Sequence, residues 1–465
     1  MRKYPTTGDL LASMSALDTV TVIGGGLAGS EAAWQLAIRG IPVRLMEMRP
    51  TVVSPAHHSD GLAELVCSNS FKSDDPATAT GMLKRELEAL GSLIIAAARA
   101  AAVPAGAALA VDRDGFSASI TELIESHPLI ELVREEATVV PDGDVVIASG
   151  PLTSANLERA LSELVGDSRL AFFDAAAPIV AAESIDMKRA FRASRYDKGE
   201  GADYINCPMN REQYDAFLGA ILDADRVILK EFEQKDLFQA CQPIEEVARC
   251  GADALRYGGM KPVGLVDPAT GERPWAVLQL RAENHAATAY NLVGCQTNLT
   301  FSEQRRVFSL VPGLENAEFL RYGVMHRNTF VDAPRLLAAD LSLRSNPRIR
   351  IAGQLSGTEG YLEAAGGGLV AALGIVNARL GHQTLPIPED TALGSLIAYA
   401  TNPDTSRYQP MHVNLGIMPP MDSIRAKRAR RAAIAERAAA AMLEYSRAHA
   451  EALHPALAAA SEIVG

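Results

Sequence analysis

The sequence predicts an α/β protein: a Rossmann-like, dinucleotide-binding sheet with an α+β domain inserted into it. Three observations carry that expectation. A complete β-α-β unit with a glycine fingerprint stands near the N-terminus. A second strand, glycine turn and helix return after residue 349, and the texture between the two is different.

The first unit runs from Thr19 to Arg49. Val20, Val22 and Ile23 form a short β-branched run that leads into Gly24-x-Gly26-x-x-Gly29, a helical pattern follows to Gly40, and a second apolar strand, Val43 to Met46, ends in Glu47. Gly24 allows the tight turn, Gly26 lets a pyrophosphate approach the backbone, and Gly29 lets helix and strand pack closely. The helix N-terminus then faces the phosphates with unpaired N–H groups and the positive end of its dipole. Gly24, Gly25, Gly26, Leu27, Ala28 and Gly29 are therefore the expected cofactor contacts. Glu47, about twenty residues on, is placed to accept from a ribose hydroxyl.

Composition sets the frame for the rest. A chain of 465 residues exceeds what one core usually supports, so two domains are expected. The 48% hydrophobic and 22% charged content is that of a soluble globular protein. Met1 to Asp18 has neither a long apolar core nor a small-residue cleavage site, so no secretory signal is expected. Leu93 to Val111 is apolar but carries Arg99, Pro104 and Gly106, which argues against a membrane span. Five irregularly spaced cysteines suit reduced thiols in a cytoplasm, and none of them has zinc-site spacing with histidine. The net charge of −12 argues against a generic nucleic-acid binder. Charge is uneven, however: Arg425, Lys427, Arg428, Arg430, Arg431 and Arg437 share one Ala-rich helical segment opposed only by Glu436, either a solvated face or an RNA-contacting patch.

Along the chain, Glu64-Leu-Val-Cys67-Ser-Asn-Ser-Phe-Lys72 sets a thiol in a polar context unlike that of a core cysteine. Met82 to Ala102 reads as one helix, Ser117 to Ser126 as a short amphipathic helix, Ile130 to Val133 as a strand, and Asp144-Val-Val-Ile-Ala-Ser-Gly150-Pro-Leu-Thr as an apolar strand ending in a small-residue turn. From about Ile185 loops and aromatics take over. The expected domains are 16–185 and 332–446, two parts of the cofactor-binding unit, with 186–331 inserted and a basic helix at the C-terminal end. At Ile349 a strand resumes and enters Gly353-Gln354-Leu-Ser-Gly357-Thr-Glu-Gly360, with a helix expected from Leu369 to Leu380. That helix would fold back onto the first sheet and offer N–H groups to the cofactor.

Taken in order, these motifs resemble the folate- and FAD-dependent tRNA (uracil-5-)-methyltransferases, relatives of the larger wobble-uridine-modifying flavoproteins. The resemblance rests on G-G-G-L-A-G-S-E-A-A at Gly24, E-L-V-C-S-N-S-F-K at Glu64, V-P-A-G-x-A-L-A-V-D-R-D-x-F-S at Val103 and Y-I-N-C-P-M-N at Tyr204. It continues through C-x-P-I-E-E at Cys241, R-Y-G-x-M-K-P-V-G-L at Arg256, R-Y-G-V-M-H-R-N-T-F at Arg321, G-Q-L-S-G-T-E-G-Y at Gly353 and N-L-G-I-M-P-P at Asn414. Cys295 stands where the family tends to have phenylalanine, and Ala364-Ala-Gly-Gly-Gly where it tends to have serine and alanine.

The resemblance implies a two-dinucleotide type of FAD-binding fold, with Gly353, Gln354 and Gly360 joining the cofactor contacts. It implies methylation of carbon 5 of uridine 54 in the tRNA T-loop, with methylenetetrahydrofolate as carbon source and NAD(P)H as reductant. It also implies two working thiols, Cys241 and Cys67. A thiolate adds at carbon 6 of uracil to make carbon 5 nucleophilic, and a base then removes the C5 proton. Cys241 as nucleophile with Cys67 as base is the preferred assignment, and the reverse is the alternative. Cys207, Cys250 and Cys295 are assigned to packing. His326 and Arg327 contact folate or phosphate, or His326 is structural. The rival functions are the same chemistry on ribosomal RNA and an RNA-independent flavin oxidoreductase. The latter would call for a close C-x-x-C pair or a small-substrate pocket, and the sequence lacks the pair.

Overall fold

The computed structural model describes residues 19–450 apart from 55, 167–168, 198–201, 228–241, 382–385 and 406–407, with the backbone alone at 169–175, 197 and 325–327. The central sheet has six strands in the order Ser342–Leu343, Asn346–Ile351, Val145–Ile147, Val20–Ile23, Val43–Met46 and Ile130–Val133. Apart from the antiparallel edge pair Ser342–Leu343 and Asn346–Ile351, neighbours in this sheet run parallel. Its inner strands are mostly apolar and buried, with Val20, Val22, Val43, Leu45, Val145, Val146, Ile147 and Ile351 in the core and Arg44 exposed. That is the composition of a parallel sheet covered on both sides.

Helix α1 (Leu27–Ala37) follows the first strand, and α2 (Ala79–Ala89) and α3 (Leu93–Ala100) come next. The single helix expected from Met82 to Ala102 is thus two. The chain turns at Gly91 (φ 71°), and Ser92 then caps α3, its Oγ accepting from the Ile95 N–H at 3.4 Å. A glycine just past one helix and a serine just before the next outweigh the unbroken leucine and isoleucine spacing. Helix α4 (Arg113–Ser126) starts four residues ahead of the expected Ser117. Asp112 is its N-cap and accepts from the Gly115 N–H at 2.9 Å.

Helix α5 (Tyr361–Arg379) also starts earlier than the expected Leu369 and absorbs the glycine run. Gly366, Gly367 and Gly368 form part of its buried face, and a Cβ on Gly368 would overlap the Ala28 carbonyl oxygen of α1. The glycines serve helix-to-helix approach and are not a turn. This helix is long and apolar enough to cross a bilayer, yet 89% of its apolar window is buried inside the protein. It is the core helix.

Two buried carboxylates tie further helices in place. Glu31 on α1 accepts from the Leu93 and Ile94 N–H groups (3.2 and 2.9 Å) and from the Ser92 hydroxyl (2.7 Å). Glu86 on α2 does the same for α6 (Ala392–Thr401), accepting from Ala392 N and Leu393 N at 2.7 and 2.8 Å. Burial pushes the Glu86 carboxyl up to about 7, although both N–H groups pull it down.

The second unit is a six-stranded antiparallel sheet in the order Phe191–Arg192, Tyr204–Met209, Ala276–Ala282, Ala289–Leu292, Ile179–Ala181 and Phe319–Arg321. It has its own core, in which Tyr214, Phe217, Leu280, Val307 and Phe308 are buried. The sheet begins ahead of residue 186, because Ile179–Ala181 already pairs within it. The chain leaves and returns through one antiparallel ladder, Arg169–Ala175 against Met325–Val331. Docking on the first unit is polar: Arg281 Nε donates to Asn69 Oδ1 at 2.8 Å, Asn69 Nδ2 donates to the Ala282 carbonyl at 2.8 Å, and Arg113 pairs with Glu283 at 2.7 Å.

The basic segment forms α7 (Lys427–Ala448), which buries Ile434, Ala438, Met442 and Tyr445 on one stripe against α2. Arg425, Lys427, Arg428 and Arg431 are exposed, whereas Arg437 turns inward to pair with Asp390 at 3.2 Å.

The α1–α5 approach makes a direct prediction. Gly368→Ala is expected to destabilise the fold by roughly 1–3 kcal/mol, because the added methyl must push two backbones apart. Gly219→Ala, where a Cβ meets nothing within 4 Å, is expected to stabilise it by about 0.4–1 kcal/mol. Urea unfolding of both variants checks the signs, and a Gly368→Ala protein as stable as wild type would refute the close contact.

Candidate active site

The glycine loop is shaped from below and open above. Gly24 has φ 102°, and a Cβ there would sit 2.6 Å from the Ala148 carbonyl oxygen. A Cβ on Gly29 would overlap the Gly24 carbonyl, so the first turn of α1 lies directly on the loop. Gly26 is different: a Cβ there meets nothing within 4 Å, because the residue faces the cleft.

Glu47, at the end of its strand, is buried and doubly committed. Its Oε2 accepts from the Gly25 N–H at 2.8 Å, and its Oε1 accepts from Arg49 Nε at 2.7 Å. Arg49, also buried, reaches Glu64 Oε2 at 3.0 Å. Burial opposes the Glu47 charge, but the hydrogen bonds and field of Arg49 win and hold the carboxyl below its usual range. Removing the arginine would leave two buried carboxylates without their cation, a loss of about 3–5 kcal/mol for a pair of this kind.

A second backbone turn faces the first across the cleft. Asn346–Ile351 ends in the turn Gly353–Ser356, and the N-terminus of α5 follows at Gly360. Gln354 is held by a hydrogen bond from its Nε2 to Glu359 Oε1. Two helix N-termini, of α1 and α5, therefore open on one space. Each brings orphan N–H groups and positive dipole ends, the arrangement suited to an anionic ligand.

Cys67 lies farther along this cleft on the loop before Asn69. The Cys67 and Ser68 N–H groups both donate to the Tyr361 hydroxyl, at 3.0 Å each, so the first residue of α5 fixes the thiol loop. Burial and the neighbouring Cys67 raise the pKa of the Tyr361 phenol. Arg113 and Arg321 both stand within electrostatic range of Cys67. Burial and repulsion from Arg113 lower the pKa of the Arg321 guanidinium. Lys72, His412 and Glu363 gather at the same end, with Lys72 Nζ 2.8 Å from His412 Nδ1 and 3.7 Å from Glu363 Oε1.

Of the residues singled out by sequence, Gly24, Gly26, Leu27, Ala28, Glu47, Cys67, Gly353, Gln354 and Gly360 line this one cleft. Gly25 and Gly29 do not: the first is pinned against Glu47 and Leu62, the second against Gly24. Cys241 lies outside the described residues, as do the side chains of His326 and Arg327. Cys207 and Cys295 are buried core thiols, and burial pushes that of Cys207 up to about 12. Cys250 is not a packing residue. It is exposed after the helix Ile244–Arg249, where its Sγ donates to the Glu246 carbonyl. Glu245, the acid near Cys241 in sequence, is occupied in the inserted core by Thr297 Oγ1 and Asn298 N at 2.9 and 2.7 Å.

Tyr361, Arg49, Asn328 and His412 have no sequence-assigned role yet line the cleft. Tyr361 and Asn328 stood within quoted motifs, which was their only signal. His412 reaches the site through a fold-back with no local signature.

A family model described as glucose inhibited division protein A matches residues 19–383 of the chain. A relative from Geobacter sulfurreducens, named "Methylenetetrahydrofolate--tRNA-(uracil-5-)-methyltransferase TrmFO", is 56% identical over 424 residues, covering 90% of this chain and 97% of its own. A relative of the same name from Symbiobacterium thermophilum is 53% identical over 435 residues, covering 92% and 97%. Among solved structures, GidA of Aquifex aeolicus aligns at a TM-score of 0.67 and 16% identity, over 96% of this chain and 75% of that one. This last likeness shows the fold.

The open side of Gly26 yields a second prediction. Gly26→Val is expected to fold with less than about 1 kcal/mol of change, since its side chain meets only the cleft. It should lose dinucleotide binding in a titration followed by thermal shift. Full binding by this variant would remove the glycine loop from the ligand site.

Proposed function

The chain belongs to the glucose inhibited division protein A family, and we infer that within it this protein is a folate-dependent tRNA methyltransferase, converting a uridine to 5-methyluridine. One observation carries the reading. The dinucleotide loop and the Cys67 thiol share a cleft, in a chain 56% identical, nearly end to end, to a relative bearing that name.

FAD suits the cleft. The open face of Gly26, the two helix N-termini and the carboxylate of Glu47 are what a diphosphate and a ribose hydroxyl require. Gly24, Gly26, Leu27 and Ala28 would hold the diphosphate, Glu47 the adenosine ribose, and Gly353, Gln354 and Gly360 the flavin half. Bound and reduced by NAD(P)H, FAD would supply the hydride that takes the folate methylene to methyl. The protein's own part is to hold the target base and move its protons. Carbon 5 of uracil is a weak nucleophile until a thiolate adds at carbon 6, and we assign that addition to Cys241. Cys67 takes the C5 proton afterwards, and expulsion of the Cys241 thiolate from carbon 6 restores the ring double bond and frees the product. Tyr361, which binds the Cys67 and Ser68 amides, keeps that thiol facing the cleft.

The target is uridine 54 of the T-loop, and a base held in RNA structure must swing out to meet a thiol. Phosphate contact falls in part to the exposed Arg425, Lys427, Arg428 and Arg431 at the start of α7, so binding should weaken steeply with salt. tRNA and the folate pool put the reaction in the cytoplasm.

Two experiments test this. RNA carrying 5-fluorouridine should trap the carbon-6 adduct, because fluorine does not leave as a cation. Cys241→Ala is expected to abolish turnover and trapping, and Cys67→Ala to abolish turnover while addition persists. A mirrored result swaps the two roles, and activity in both variants ends the two-thiol scheme. Separately, Arg428→Glu with Arg431→Glu should weaken tRNA binding about tenfold, two lost phosphate contacts being worth on the order of 1–2 kcal/mol, with flavin reduction by NADPH unchanged. Unchanged affinity would make this face of α7 merely solvated.

A further inference from the structure

Asn328 lies midway along Met325–Val331, the returning strand of the ladder that joins the two units. It is 0% exposed and lines the cleft. The next residue, Thr329, donates its N–H to the Pro151 carbonyl at 3.0 Å, and the strand packs beside the Gly353–Ser356 turn. The Asn328 carboxamide therefore borders the cleft on the side of the Gly353–Ser356 turn.

Both of its polar atoms, Nδ2 and Oδ1, are buried without a partner. Two other buried amides of this chain are used fully, whereas Asn291, Asn298 and Asn377 each leave one polar atom open. Asn69 donates to Val111 and Ala282 and accepts from Arg281, and Gln304 donates to Leu299 and Gly323 and accepts from the Gly323 N–H. Among the described residues, Asn328 is the carboxamide left open at both ends. A buried amide in that state destabilises the fold that holds it. Leucine, of similar size, would fill the same space without the cost.

We propose that Asn328 is a ligand-positioning residue of the cleft, completed by a group that offers both an acceptor to Nδ2 and a donor to Oδ1. A diphosphate offers acceptors only and would leave Oδ1 open. The ribityl hydroxyls and the ring imide of a flavin offer both, so the partner is the flavin half of FAD. This rests on the FAD reading above. The imide edges of uracil and of a pterin share the same chemistry, and the test separates them.

Wild type, Asn328→Leu and Asn328→Asp are compared as apoproteins and in titrations with FAD. Without ligand, Asn328→Leu is expected to melt above wild type, since the unpartnered amide is gone. With FAD the order should reverse, and affinity should fall about tenfold or more, the worth of one to two hydrogen bonds. Asn328→Asp keeps the shape and loses the donor, so it should also bind FAD more weakly. If the contact is to the ring, the flavin reduction potential of Asn328→Asp should move to a more negative value. If it is to the ribityl chain, affinity alone should change. Variants that match wild type in apo melting and FAD affinity overturn the proposal. A loss confined to 5-fluorouridine RNA or to tetrahydrofolate overturns the flavin assignment in favour of that ligand. Wild type that takes up no FAD overturns the cofactor reading itself.

Discussion

The backbone contact between α1 and α5 is the constraint on which the cleft depends. Gly368 lies so close to the Ala28 carbonyl that no side chain fits between them. At that separation the first turns of both helices, at Leu27–Ala28 and at Tyr361, border the same space. Two positive helix ends facing one cavity repel each other weakly, and an anion between them reverses the sign of that interaction. A helix pair held apart by ordinary side chains would splay these ends and spread the N–H groups over two separate surfaces. The glycines of α5 are thus as much part of the ligand site as those of the loop.

Buried carboxylates hold the surroundings rigid, each assigned to a backbone task. Glu31 and Glu86 satisfy the N–H groups of neighbouring helices, and Glu47 satisfies the Gly25 N–H while Arg49 neutralises it. Among the described residues Glu86 has no paired cation and is pushed toward neutrality by burial, whereas Glu47 is kept charged by its arginine. The difference matters for function. A charged Glu47 can accept a further hydroxyl on oxygens that already accept N–H groups, and the same carboxylate keeps the glycine loop in its bound-like shape before ligand arrives.

How much of this was legible in the sequence follows from how local each signal is. The first β-α-β unit is read almost to the residue, because turn, helix start and strand end are all set by neighbours in the chain. The break between α2 and α3 is equally local, written in Gly91-Ser92, but leucine and isoleucine spacing runs straight through it and hides it. The reverse error occurs at Gly366–Gly368: three glycines read as a turn, yet close approach of Leu393 at Gly366, of Gly353 at Gly367 and of α1 at Gly368 offsets their poor helix propensity. Cys250 was read as packing from its residue type alone, and its place after a short exposed helix overrules that. His412 carries no local mark at all, and Asn328 only its place in a motif, which says nothing of its role. Their roles depend on which strand returns beside which loop, and that is a property of the fold.

The two-thiol chemistry imposes a last condition, on the seam between the units. Cys67 belongs to the first unit, and Cys241 falls in sequence between Arg226 and Ile244 of the second. If both thiols are to reach one uracil ring, the units must be fixed to within a fraction of a bond length. A polar seam does this better than an apolar one, because hydrogen bonds fix direction as well as distance. The residue two places after Cys67 supplies it: Asn69 takes Arg281 on its oxygen and gives its amide to Val111 and Ala282, so the thiol loop is bonded directly to the inserted sheet. Arg113 extends the seam by pairing with Glu283 and donating to the Leu65 carbonyl of the same loop. The thiol loop, the inserted sheet and the first turn of α5 are thereby tied together, and the position of the thiol is set by the docking of the two units.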